Sequence, residues 1–347
     1  MPSNGLFTFV NIIVRFMFCA VILLLPVGAS ESSVLVPYEE YRTGSDYILT
    51  GRYDDAEQVF DRMIANYPDE PAGYIMKAAV LHYFSVDYDD DTRSTEYYRL
   101  VDMAEQYAQK KVDLDRDDTW AWYFLNSAKI LKAVRSVHGG HFVTGILKGR
   151  SGHLGMMKII AGNGDFDDAY LTTGSYRFWK SQATKKAHWL PLVGDDRERG
   201  IAEVKRGIGS GKLVSPTSMT VLIEMLLVYD VDRAVMLSRD YAERYPACRL
   251  FTWQFGEALI KAGAHDEAVR VLTKIAEEMS VDPNDNGSGP LRCWWKLGEM
   301  CYNLGKHEDS RKYCREVIRI GQDKTVYEHQ HKRIEKARKI LARIGDE

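Results

Sequence analysis

The sequence predicts an all-α fold, a stack of helix hairpins, on three observations. Helical patterns rich in Ala, Leu, Glu and Lys dominate the chain, and long strand-like alternations are missing. Proline is scarce, 10 in 347 residues. Small residues recur at constant internal spacing, which is how a repeat architecture announces itself. Composition agrees: 45% apolar and 27% charged residues describe an ordinary folded chain. A net charge of −3 offers no sign of the basic stripe that nucleic acid needs, so nucleic acid is not an expected partner.

The N-terminus is a separate piece. Arg15 precedes FMFCAVILLLPV, Phe16 to Val27, an unbroken apolar run. Its length suits a signal-peptide core and is short of the roughly 20 residues a membrane span requires. Val27-Gly28-Ala29 supplies small residues for cleavage before Ser30. The other reading extends the run back to Leu6 as an uncleaved anchor, across Asn11 and Arg15. Residues 1–29 are therefore expected to be a signal peptide or membrane anchor. Either way the rest is exported, periplasmic or tethered to the membrane, with membrane contact only through this segment if it stays uncleaved. Cys19 lacks a lipoprotein cleavage context. Four cysteines remain, Cys248, Cys293, Cys301 and Cys314, and an exported chain permits either disulfides or buried thiols.

The repeat follows. Gly44, Gly256 and Gly298 each stand 12 positions before a second small residue: Ala56, Ala268 and Ser310. A turn glycine, Gly51, Gly263 or Gly305, lies five before that residue. Pro68 and Pro246 each close a unit 12 beyond Ala56 and Ala234. The physics is direct. Two helices approach closely only where the crossing carries no large side chain. The turn glycine takes up the left-handed conformation between them, and the proline ends the second helix. Weaker units fit the same spacing. Pro71 to Val112 puts Ala78 and Ala104 at the small positions, with the acidic run Asp87-Tyr88-Asp89-Asp90-Asp91 in its long turn, expected to be a solvated turn. Trp122 to Leu125 begins another unit, with Asn126 in place of the glycine. Asp167 to Lys180 carries Gly174 and connects to a helix near Asp196 to Ile208. Thr217 to Arg244 is a sixth unit, and the polar loop Val281 to Gly289 precedes the last.

These residues resemble the tetratricopeptide repeat (TPR), whose pattern is W-x2-L-G-x2-Y, then A-x3-F, then P. Trp294, Leu297, Gly298 and Cys301 follow its first part; Ala56, Phe60 and Pro68 follow its second. The resemblance implies a right-handed α-solenoid of about seven hairpins over 37–323, with a capping helix and tail at 324–347. The middle, GSYRFWKSQ and then WLPLVGDDRERGIAEVKRGI, resembles a group of largely uncharacterised exported bacterial repeat proteins, a likeness that brings no activity. The resemblance also implies that the first helix of each hairpin lines a concave groove. There it puts Tyr38, Tyr41, Trp120, Tyr123, Phe178, Trp253, Trp295 and Tyr302 as partner-binding residues. The Lys and Asn of carboxylate-clamping relatives are replaced by aromatic residues and by Ser or Glu. An aromatic wall suits a protein or peptide segment, because each covered ring removes a large area from water. The competing reading is that some of these rings fill helix–helix contacts or are covered by the N-terminal segment.

Chemistry finds little footing. His138, His141 and His153 stand in a glycine-rich junction, read as a helix end and a loop, and Gly139-Gly140 spoils a shared metal-binding face. Lys148 to Gly152 lacks phosphate-loop spacing. The acidic run lacks the frame of a calcium loop. No nucleophile stands in a triad context. The expectation is a non-enzymatic scaffold in the cell envelope with no catalytic residue, cofactor or metal. The alternative is a small-ligand carrier for a lipid or glycan, with the glycine-rich region as its pocket.

Overall fold

The computed structural model describes residues 38–138, 141–184, 194–213 and 216–345. The expected leader lies outside them. Among the described residues the chain forms fifteen α-helices. They pair as seven hairpins: α1 (Tyr38–Leu49) with α2 (Tyr53–Asn66), α3 (Pro71–Tyr88) with α4 (Ser94–Leu114), α5 (Thr119–His138) with α6 (Phe142–Gly162), α7 (Asp168–Ala183) with α8 (Arg197–Ser210), α9 (Met219–Tyr229) with α10 (Val231–Arg244), α11 (Arg249–Ala262) with α12 (His265–Ser280), and α13 (Ser288–Asn303) with α14 (His307–Ile320). Helix α15 (Lys324–Arg343) packs on α13 and α14. The fold is an all-α solenoid in which each hairpin stacks on the next.

The small residues explain the crossings. A Cβ on Gly256 would lie 2.7 Å from Leu272 Cδ2, and one on Gly298 would lie 2.9 Å from Cys314 Sγ. At Gly44 it would overlap the Phe60 ring. Opposite them, Ala56, Ala268 and Ser310 have no exposed surface, and Ser310 Oγ donates to Gly298 O at 2.9 Å. The turn glycines Gly51, Gly263 and Gly305 have φ of 70°, 78° and 72°, the left-handed region where a Cβ is penalised.

Odd-numbered helices form the inner layer: α1, α3, α5, α7, α9 and α11 touch one another in series, and α13 touches α15. The array also bends round on itself. Helix α3 touches both α11 and α13, and α1 touches the short 3-10 turn Pro216–Ser218 before α9. As a result one core cluster joins both halves of the chain, from Ile48 and Tyr88 through Phe124 to Leu272, Leu297 and Tyr313.

One segment departs from its sequence reading. His138 ends α5, but from Phe142 onward the glycine-rich junction is the long helix α6 and not a loop. Its glycines face α5, where a Cβ on Gly152 would lie 2.9 Å from Ile130 Cγ1 and one on Gly155 would overlap the Asn126 amide. The glycines serve a close helix crossing. The four cysteines are unpaired and buried, and burial is the first cause raising each thiol, to about 12 for Cys248 and Cys293 and about 11 for Cys314.

Candidate functional site

The concave wall divides in two. Its C-terminal part, built by α11, α13 and α15, is occupied by the chain's own acidic run at the end of α3. Each residue of that run has a partner, so the expectation of a solvated turn is corrected. Asp87, 3% exposed, accepts from Tyr53 Oη at 3.0 Å and from Arg249 Nη2 at 2.9 Å. Arg249 Nη1 also donates to Asp282 Oδ2 at 2.8 Å, and Tyr88 Oη donates to the same oxygen at 2.8 Å. Asp89 caps α3 in the left-handed region (φ 54°) and is paired with Arg333 and Gln330 of α15. Asn286 Nδ2 donates to Asp90 Oδ2 at 3.0 Å, and Arg135 is paired with Asp91. The carbonyls at the helix end, which lack intrahelical donors, are satisfied as well: Arg292 donates to Val86 O at 2.7 Å and Asp87 O at 2.9 Å. Cations here meet the negative end of the α3 dipole, the arrangement that favours positive charge.

The C-terminal rings are packed in three different ways. The Arg292 guanidinium lies 4.0 Å from the Trp253 ring centroid, over its face. Trp295, 7% exposed, sits in a cluster with Leu291, Val317, Val326, Ile334 and Leu341 under α15. Tyr302 packs on the edge of that cluster. Phe178 has no exposed surface: it lies in the α7–α8 crossing, where a Cβ on Gly200 would come 2.9 Å from Phe178 N. It is a core residue and offers nothing to a partner. The same crossing accounts for the motif-like middle of the sequence. Gly174 and Gly200 bring two backbones together, Arg177 Nε bonds Glu203 at 3.2 Å, and Asp196 N donates to Ser181 Oγ at 3.1 Å.

The N-terminal part of the wall is different. Tyr38, 41% exposed, meets Trp120 edge-on with centroids 6.2 Å apart. Trp120 in turn meets Tyr123 at 5.4 Å and Phe166 at 4.7 Å. Tyr41 packs beside them against the joint core. Helix periodicity puts Trp120 and Tyr123 on one face of α5, three residues apart, as it puts Tyr38 and Tyr41 on one face of α1. Behind the rings lies Asp168, whose carboxylate accepts from Lys212 N at 2.9 Å and Leu213 N at 2.5 Å. Burial, opposed by those two donors, raises its pKa above the usual carboxylate range. Burial, with Asp168 next, also raises the Tyr123 hydroxyl.

Two titratable groups escaped the sequence reading. Glu224 is the lone charged residue of α9, MTVLIEMLLVY, and it has no hydrogen bond or ion pair among the described residues. It is recessed rather than sealed, and loss of water pushes its pKa up to about 7. Tyr83 of α3 lies near it and shares hydrogen bonds with Thr217 and Thr220. A single acid inside an apolar helix was the available signal. The second group is Asp285, in the polar loop before α13, pushed up to about 6 by burial with one oxygen unpartnered. His153 stacks on Tyr176 at 4.2 Å and is pushed down to about 4, by burial and then by Arg177 and Lys180. Lys148 and Ser151 of α6 help line an open surface pocket of about 430 Å3 together with Tyr98, Asp102, Glu105, Lys129 and Lys132.

Comparison with known proteins adds the family. A tetratricopeptide-repeat family pattern matches residues 40–70, the α1–α2 hairpin and the turn after it. No curated protein matches. Among solved structures the chain is similar to the TPR domain of P58(IPK), at 14% identity over 89% of this chain and 99% of that one, with a TM-score of 0.22. A likeness of that size carries no argument here. The family pattern covers one hairpin, and small-residue crossings like the one in that hairpin recur at Gly256 and Gly298, so the array is similar to a tetratricopeptide-repeat solenoid.

Proposed function

We propose that the protein is a non-enzymatic scaffold of the cell envelope that holds a segment of a partner protein, without chemistry, against the aromatic wall Tyr38, Tyr41, Trp120 and Tyr123. TPR arrays are protein-interaction scaffolds, and a TPR pattern matches residues 40–70 of this chain. The observation that carries the proposal is the exposed edge of Tyr38 on Trp120, backed by Tyr123 and Phe166. A stack of rings held rigid by a folded wall binds at low entropic cost, and one fully covered aromatic side chain contributes about 2–3 kcal/mol. The envelope location rests on the apolar leader Phe16 to Val27.

Trp295 and Phe178 are left out of this wall because they are buried, while Trp253 and Tyr302 are half-buried and stand apart from it. The test is a capture experiment from envelope extract with three forms of the chain. Tyr38→Ala with Trp120→Ala should abolish capture of partners that wild type retains, while Trp295→Phe should keep it. Capture that survives the first pair unchanged would sink the proposal.

A carrier of a small glycan has one observation in its favour, the pocket beside α6. Its lining brings Asp102 and Glu105 together with Lys129, Lys132 and Lys148, side chains able to hydrogen-bond hydroxyl groups. Binding of neutral oligosaccharide that is lost in Lys148→Ala and Ser151→Ala, with capture of protein partners absent, would favour that reading.

A further inference from the structure

Helix α6 has its amphipathicity inverted. Its buried side is made of Gly145, Gly149, Gly152, Met156 and Ile159, whereas Val143, Leu147 and Leu154 are 71%, 67% and 47% exposed. At about 100° per residue those three fall within about 40° of one another around the helix, with Arg150 and Lys158 on either side, the five spanning about 80°. Elsewhere among the described residues the large exposed apolar residues stand singly, apart from Tyr98 and Leu114 of α4, which lie 16 residues apart on different faces. Scattered single residues are normal on a surface; an aligned row is not.

We propose that this outward face of α6 rests on an anionic lipid bilayer, its leucines and valine in the headgroup boundary and its cations on lipid phosphates. Charge selects the occupant. From Thr119 to Gly164 the chain contains no Asp or Glu, yet it carries Lys129, Lys132, Arg135, Lys148, Arg150 and Lys158, in a protein whose net charge is −3. Lys132 and Arg135 are engaged with acids of α4 and of the α3 run. Exposed Lys148, Arg150 and Lys158 have no ion pair among the described residues. Apolar residues flanked by free cations on one exposed helix face bind an anionic interface through burial and attraction together. Position agrees. Tyr38, the first described residue, packs on Trp120 of α5, in the hairpin that α6 completes, and the apolar run Phe16 to Val27 precedes it in sequence. This contact is separate from any span made by that run, and it lies on the opposite layer from the aromatic wall.

The experiment uses the full chain with Cys19→Ser, labelled with an environment-sensitive fluorophore at Leu147→Cys or, as a control on α10, at exposed Met236→Cys. Vesicles are phosphatidylcholine alone or mixed with phosphatidylglycerol. The label at 147 should brighten and shift to the blue only with the anionic lipid, and the label at 236 should not respond. Arg150→Gln with Lys158→Gln should reduce the docking equilibrium roughly thirtyfold, at about a factor of five per basic residue. Arg150→Lys with Lys158→Arg should retain it. A label at 147 that stays as wet as the one at 236 overturns the proposal. So does a response in neutral vesicles that the Gln pair leaves unchanged. A dry label without vesicles, accompanied by a doubled mass in light scattering, would make the face a contact between two copies instead.

Discussion

Asp87 and Arg249 show how much of this fold depends on single polar contacts that lie far apart in sequence. The carboxylate is buried, held by Tyr53 and Arg249, and its cation comes from 162 residues away. A buried pair stabilises little in net terms, but breaking it leaves a charge without water or partner. Arg249→Met should therefore cost about 3–5 kcal/mol in urea unfolding. Glu224 makes the opposite prediction. Its folded pKa, about 7, exceeds the 4.5 of the free side chain, so the fold favours the protonated form. The stability linked to that proton is fully present below pH 4.5 and is lost as pH rises to 7. Glu224→Gln should match wild type at pH 4.5 and exceed it at pH 8, by on the order of 2 kcal/mol after allowing for the recess being open to water. Equal stability at both pH values would mean that the carboxyl is solvated. The sequence exposed Glu224 to view as the one acid in an apolar helix, but burial depends on Tyr83 and Thr217 from other elements, which no local pattern announces.

At the scale of elements, hairpin crossings were legible because the rule is local. Gly256 with Ala268, and Gly298 with Ser310, are 12 apart, and the structure crosses there. The rule predicts sharp contrasts between neighbouring glycines. A Cβ on Gly174 would lie 2.5 Å from Gly200 O and 2.7 Å from Val204 N, so Gly174→Ala should destabilise by roughly 1–3 kcal/mol through forced separation of the helices. Gly209, with nothing within 4 Å, should gain about 0.5–1 kcal/mol as Gly209→Ala, the helix-propensity difference. Thermal melts of the two variants should therefore move in opposite directions. Helix α6 was only partly legible: the glycines at Lys148 to Gly152 suit a close helix crossing, but the residues opposite, Asn126 and Ile130 of α5, are identified only by the fold. Its outward apolar row also defeats any rule that places apolar residues inside.

The whole molecule is where sequence reasoning stopped. Repeat spacing describes how each hairpin meets the next, and it says nothing about whether the array stays open. Here the end of α3 lies against α11 and α13, and Asp89 reaches Arg333, 244 residues on. Closure holds Arg292 over the face of Trp253, whereas α15 covers Trp295 and the α7–α8 crossing buries Phe178. The aromatic residue types at those positions were readable; which of them face a partner depends on this packing.

Closure is also directly measurable. Spin labels at Thr92→Cys, in the turn after the acidic run, and His329→Cys, on α15, both exposed in a Cys19→Ser background, report the distance across the joint by double electron–electron resonance. The structure predicts one short, narrow distribution, which Asp87→Asn with Asp89→Asn broadens towards longer distances. A long, broad distribution in the unaltered joint would mean an open solenoid, with Arg292 released from the α3 carbonyls.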